Sequence, residues 1–186
     1  MRVLLDACIL FPTVMREVLM GAADAGAFTP LWSEKILAEW RHTASKISEE
    51  AALFADAEIL TLKTKWPEAM MIVSDDDITH LSLPDVNDRH VLAAAIKGQA
   101  EVLLTNNLRD FPRRTLARDD ILLREPDSFL MDFIDDAQIN LPEVVANVQA
   151  RAVSASGREQ PIRTLLKRAR LPRLGKNLAE HPRFVG

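Results

Sequence analysis

The sequence predicts an α/β fold built on a mainly parallel sheet, and three observations carry that prediction. Short apolar runs of strand length, at residues 3–5, 70–73, 102–105 and 121–123, lie far apart along the chain. Several of the segments between them carry apolar residues at the 3.6-residue period of a helix. Strands separated by helices pair through crossovers rather than hairpins, which makes the sheet parallel.

The elements follow in order. The run 3–5 is stopped by Asp6, and Val14, Val18, Leu19 and Ala22 then define a helix over 15–25 that ends near Gly26. Ser33 is placed to N-cap a second helix with Ile36, Leu37, Trp40, Ala44 and Ile47 along one stripe. A third helix spans 48–65, with Leu53, Phe54, Ala57 and Leu60 on one face. The strand 70–73 precedes Asp75-Asp76-Asp77, read as a solvated turn. Pro84-Asp85 opens a helix over 84–97 that closes at Gly98, and strands 102–105 and 121–123 follow. Residues 127–137 and 141–153 are expected to be helical, 154–157 a linker, and 162–170 a basic helix. The expected division is a sheet domain over 1–126 and a helical extension with a basic tail over 127–186.

Composition narrows the classes. The 186 residues are 48% hydrophobic and 27% charged, which excludes a disordered or fibrous chain. The single cysteine, Cys8, excludes an internal disulfide framework and a Cys-rich zinc module, and is expected to be a small buried hydrophobe. No apolar run approaches the ~18–20 residues of a membrane helix. Arg2 before Val3-Leu4-Leu5 opens like a signal peptide, but Asp6 interrupts it, so a cytoplasmic location is expected.

The net charge of −4 hides an asymmetry. Residues 157–186 hold eight Lys/Arg against Glu159 and Glu180, whereas the rest of the chain carries 15 basic and 25 acidic side chains. A basic tail on an acidic body suggests nucleic acid, an acidic partner or a second subunit; a solvated amphipathic helix is the plainer alternative. An acidic body that handles RNA needs cations to mediate the contact.

In an open parallel sheet, ligands bind beyond the carboxyl ends of the strands. Asp6 ends the first strand, and the strand 102–105 runs into Asn106-Asn107-Leu108-Arg109-Asp110. Glu39 borders the buried stripe of its helix, and Asp88 falls in the first turn of the 84–97 helix. Carboxylates packed together repel, so such a cluster calls for cations or raised pKa values. Oxygen donors without His or Cys suit Mg²⁺ or Mn²⁺. Each residue also has a structural reading. Asp6 ends a strand, Glu39 is a solvated helix residue, Asp85 and Asp88 form a helix cap, and Asp110 N-caps a helix starting near Pro112. His90 is taken for a core or surface histidine.

In order and context, these residues resemble the PIN-domain nucleases, most closely the branch of the VapC toxins of toxin–antitoxin pairs. The matching segments are Val3-Leu4-Leu5-Asp6-Ala7-Cys8-Ile9-Leu10-Phe11-Pro12, Trp32-Ser33-Glu34-Lys35-Ile36-Leu37-Ala38-Glu39-Trp40, Pro84-Asp85-Val86-Asn87-Asp88-Arg89-His90-Val91-Leu92-Ala93-Ala94-Ala95 and Leu103-Leu104-Thr105-Asn106-Asn107-Leu108-Arg109-Asp110-Phe111-Pro112. The resemblance implies a three-layer α/β/α domain and a metal-dependent enzyme that hydrolyses RNA phosphodiester bonds. It implies Asp6, Glu39 and Asp88 as ligands of Mg²⁺ or Mn²⁺. Many relatives have a further aspartate two residues after the threonine, where this chain has Asn107. Asp110 is then a candidate for the missing anion or a support for the site, with Thr105, Asn107 and Asp85 as further support. Arg89 and Arg109 are candidate phosphate contacts. The implied partners are RNA, an antitoxin protein and further copies of the chain, with no membrane.

Two other readings fit parts of this pattern. A haloacid-dehalogenase-type phosphatase needs a second aspartate where Cys8 stands, and a receiver domain needs a lysine that Thr105-Asn106-Asn107 does not offer. The other is a PIN-like module that has lost cleavage and binds RNA or a protein, a reading that the Asn107 departure supports.

Overall fold

The structure, a computed structural model, describes residues 1–184. The elements run β1 (Arg2–Leu5), α1 (Ala7–Leu10), α2 (Thr13–Asp24), β2 (Thr29–Ser33), α3 (Glu34–Ser45), α4 (Glu49–Lys65), β3 (Met70–Met71) and α5 (Asp75–Thr79). They continue with α6 (Arg89–Lys97), β4 (Val102–Leu104), α7 (Arg113–Leu116), β5 (Leu122–Arg124), α8 (Pro126–Leu130), α9 (Leu141–Ser156), α10 (Ile162–Arg168) and α11 (Pro172–Ala179). The five strands form one parallel sheet in the order β3-β2-β1-β4-β5, the middle layer of a three-layer α/β/α fold.

The sheet is apolar because helices cover both its faces. Val3, Leu4, Leu5, Leu31, Trp32, Leu103 and Leu104 are all buried. β1 is central, and the chain leaves it in two directions, through β2 to β3 and separately through β4 to β5. The gap between β1 and β4 is therefore the point where strand order reverses. Leu5 pairs with Leu104 across it, which sets Asp6 and Thr105 side by side one residue beyond.

Capping chemistry starts and stops the helices. Ser33 accepts from the Ile36 amide at the start of α3, and Ser48 from the Ala51 amide at the start of α4, at 3.3 and 3.0 Å. Gly98 closes α6 as the sequence indicates.

Several elements differ from the sequence reading. β2 is not among the strands expected from the sequence; in it Pro30, which has no amide to donate, stands opposite Val3 of β1. Asp75-Asp76-Asp77 is not a turn: Asp77 accepts from the Ser74 amide and hydroxyl, closing a capping box that starts α5, and pairs with Lys97. The helix expected from residue 84 begins with a 3₁₀ turn over Val86–Asp88, capped by Asp85, and becomes α-helical at Arg89. Residues 127–137 hold only the short α8 and a 3₁₀ turn, and 154–156 continue α9 rather than forming a linker, which ends at Gly157 with φ +62°. The Leu53, Phe54 and Leu60 face of α4 is solvent-exposed; Ala52, Ala55 and Leu62 pack inward instead.

The chain divides into two compact units. One comprises Met1–Phe11 and Phe28–Arg124, and holds the whole sheet; the other comprises Pro12–Ala27 and the chain from Glu125 onward. Within the second unit α2 lies so close to α9 that a Cβ at Gly21 would come within 2.5 Å of Val144 Cγ1. The Asp127 carboxylate accepts from the Arg173 and Leu174 amides at 2.8 and 3.0 Å, which fixes the start of α11, an element the sequence reading did not contain. No helix among the described residues is long and apolar enough to cross a membrane.

Candidate metal-binding active site

The site lies at the carboxyl ends of β1 and β4, where an open α/β sheet binds its ligands. Asp6 begins α1 but makes no capping bond; its carboxylate is held by neighbours instead. Thr105 Oγ1 donates to Asp6 Oδ2 at 2.7 Å, and Cys8 Sγ donates to the same oxygen at 3.1 Å. Thr105 is completely buried, and its hydroxyl in turn accepts from the Asn107 amide at 2.9 Å. This network fixes one oxygen of Asp6 on a rigid strand end. It also changes the reading of Cys8. Burial, and then the Asp6 charge, push its thiol up to about 12, so it stays protonated and donates to the carboxylate.

Asp88 starts α6, also without a capping bond from its side chain. Its pKa is pushed up to about 6, first by burial and then by the charges of Asp6, Asp85, Asp110 and Glu39. Carboxylates from two strand ends and two helical segments therefore act on one point. Asp110 is not the expected helix cap: α7 starts after Pro112 with no side-chain cap, and Asp110 closes a turn by donating its amide to the Asn107 carbonyl at 3.1 Å. Asn107 is exposed, whereas Asp110 is half-buried.

Glu39 is not a plain solvated residue. Its Oε1 is 2.8 Å from Nε2 of His90, a residue only 2% exposed. The contact fixes the Nε2–H tautomer as the donor. Sequence reasoning missed His90 as a site residue because its partner is 51 positions upstream on another helix. Its place two residues after Asp88 was the available signal. Arg89 is half-buried and Arg109 exposed.

Residues 2–109 match the PIN domain family. The chain belongs to that family. The matched residues contain β1 through the Thr105 turn, so the PIN domain supplies Asp6, Glu39, Asp88 and Thr105, while Asp110 lies just past its end. A Mycobacterium tuberculosis protein (strain ATCC 25618 / H37Rv) named "Putative ribonuclease VapC50" is 50% identical over 48 residues, which is 26% of this chain and 28% of that protein. The chain thus spans well under a third of that relative in the match. No solved structure matches the chain significantly.

The donor set of this PIN domain fits a hard divalent cation. It offers carboxylate and amide oxygens; burial first, and then repulsion from its neighbours, raises Asp88, and a bound cation would relieve the repulsion. Among the described residues, no three His, Cys, Asp or Glu side chains are close enough to enclose an ion by themselves.

Proposed function

We propose that the protein is a metal-dependent endoribonuclease that hydrolyses RNA phosphodiester bonds, and that it is the toxin of a type II toxin–antitoxin pair. The observation that carries the reading is the raised Asp88 carboxyl, surrounded by Asp6, Glu39, Asp85 and Asp110 at the reversal point of the sheet. Family membership and the name of the mycobacterial relative support it. The expected companion is a small DNA-binding antitoxin encoded next to this chain, and both proteins are expected in the cytoplasm.

Asp6 and Asp88 are assigned as the principal ligands of Mg²⁺ or Mn²⁺. When bound, the ion would neutralise phosphate charge and acidify a water. Thr105 and Cys8 both bond Oδ2 of Asp6, which leaves Oδ1 as the oxygen assigned to the ion. Glu39, steered by His90 Nε2–H, orients the attacking water and accepts its proton. Asp110 supplies the anion that Asn107 does not, with Asn107 and Asp85 at the rim. Arg89 and Arg109 hold phosphates on either side of the scissile bond.

Cleavage of a mixed RNA pool tests the reading. The wild type is expected to cut in Mg²⁺ or Mn²⁺ and to stop on chelation. Asp110→Asn is expected to lose far more cleavage than Asn107→Ala, and equal activity of Asp110→Asn and wild type would remove Asp110 from the site. The Asn107 position favours a second reading, a PIN module that binds RNA without cutting it. Absence of metal-dependent cleavage with RNA binding retained would select it.

The basic tail is assigned to phosphate contacts. Arg163, Lys167, Arg168, Arg170, Arg173 and Lys176 are exposed on α10, α11 and the turn between them, opposite the buried Ile162, Leu165, Leu166, Leu174 and Leu178. Residues 160–179 contain no carboxylate. Replacing Arg163, Lys167, Arg173 and Lys176 by Gln should flatten the salt dependence of single-strand RNA binding by roughly 0.7 in slope per lost contact, measured without divalent ions. An unchanged slope would make the tail a packing element.

A further inference from the structure

A cavity of about 530 Å³ opens at the carboxyl ends of β2 and β3, a size within the ~300–1,000 Å³ of small-ligand sites. Ser33 and Met71, paired across the two strands, line it together with Ala38 of α3, Ile72, Val73 and Ile78 of α5. None of the residues assigned to the ion belongs to this lining, yet the two places share a wall. His90 lines the cavity, and its Nε2 is the atom that lies 2.8 Å from Glu39 Oε1. Ala38 directly precedes Glu39 on α3.

The sheet sets how near the two places are. Leu4 of β1 stands opposite Leu31 of β2, so two residues further on Ser33 is level with Asp6. Neighbouring strands are ~4.8 Å apart. The cavity therefore begins one strand over from Asp6, on the same edge of the sheet. A group that fills both places at once is short: one phosphate and the base next to it.

Charge and lining decide what enters. Glu34 is taken up by Lys63, at 2.8 and 2.6 Å, which leaves Lys35 and Asp75, one of each sign, at the cavity. A lining balanced in charge and otherwise apolar offers little to a phosphate and suits a flat neutral ring. The thioethers of Met70 and Met71 add polarizable contacts that favour an aromatic occupant. Nδ1 of His90 is buried and has no hydrogen-bond partner among the described residues, and with Nε2–H directed to Glu39 it is an acceptor. Nucleobases combine apolar faces with N–H donors, and enzymes hold unstacked bases between apolar side chains while bonding their edges.

We propose that this cavity seats one unpaired base of the RNA, next to the phosphate held at the carboxylates. The inference rests on the endoribonuclease reading above and narrows its substrate to RNA whose bases are free. A base in a duplex has its edge paired and its faces stacked, and cannot enter. His90 then touches both places, as donor to Glu39 and as wall to the base.

The test uses the full chain and two variants outside the metal site. Ala38→Trp fills the cavity from an exposed position, and Ile72→Asp, at a residue 80% exposed, charges its wall; both should keep the wild-type melting temperature. With Mn²⁺, both should hydrolyse bis(p-nitrophenyl) phosphate, which has no base, at the wild-type rate. On single-stranded RNA both should lose about ten- to hundredfold in kcat/KM, the scale of one base contact. Saturation-transfer NMR with the four nucleosides, in the presence of chelator, should show transfer to base protons from the wild type and none from the variants. That readout needs no cleavage, so it separates two failures. Nucleoside binding by a protein that cuts nothing would support the base seat and sink the nuclease reading. Absence of transfer from the wild type, or cleavage of RNA by both variants at the wild-type rate, would overturn the base seat and leave the nuclease reading in place. Duplex RNA cut as fast as single strands would overturn it as well.

Discussion

Asp6→Asn should lose cleavage by about three orders of magnitude, on the scale of removing one charged group from a metal-assisted reaction, while keeping the fold. Asn has the shape of Asp, so one terminal atom can still accept from Thr105 Oγ1, now at 2.7 Å from Asp6 Oδ2. What disappears is the negative charge at the end of β1. The structure adds a second expectation that distinguishes loss of a ligand from local unfolding. The Asp6 charge is the first electrostatic cause, after burial, of the raised Asp88 pKa. Removing it relieves repulsion, so the metal-free variant should melt no lower than the wild type. In the wild type, Mg²⁺ or Mn²⁺ should raise the melting temperature by preferential binding to the folded state. That increment should vanish in Asp6→Asn. A metal-induced shift of equal size in variant and wild type would remove Asp6 from the ligand set.

The second large effect is on pH. Asp88 titrates near 3.8 when unfolded and is pushed up to about 6 in the folded protein. Between these values the folded state keeps a proton that the unfolded state has released. The stability of the metal-free protein should therefore fall as pH rises from about 4 to about 6, and level off above, the sign opposite to that of a salt-bridged carboxylate. Asp88→Asn should abolish this decline. Metal affinity should move the other way, because the proton must leave before the carboxylate ligates. It is expected to rise up to tenfold per pH unit below about 6 and then flatten. Melting curves from pH 4 to 8, with and without Mn²⁺, read both effects. A wild-type profile that coincides with Asp88→Asn across this range would show that the Asp88 proton is not linked to folding or to the metal.

The sequence by itself determined the local parts of this protein. Strand β1 and its stop at Asp6, the Ser33 and Ser48 caps, and the Gly98 helix stop are set by neighbours within four residues, so they were legible without a fold. That Asp6 ends β1 and that Asp88 precedes α6 was legible too, since a strand stop and a helix start are local features. Other features were decided only by tertiary structure. Pro30 sits in a central strand because β1 pairs with the rest of β2. His90 meets Glu39 only because α3 and α6 both flank the sheet, and Cys8 becomes a donor to Asp6 because Thr105 is brought beside it by the β1–β4 register. The apolar stripe of α4 shows the limit most plainly. Periodicity identified the face Leu53, Phe54, Ala57 and Leu60, but α4 carries a second apolar face, and sequence periodicity alone cannot say which one the sheet domain buries. In the fold α4 lies against α3 with Ala52, Ala55 and Leu62 buried, and Leu53, Phe54 and Leu60 face outward.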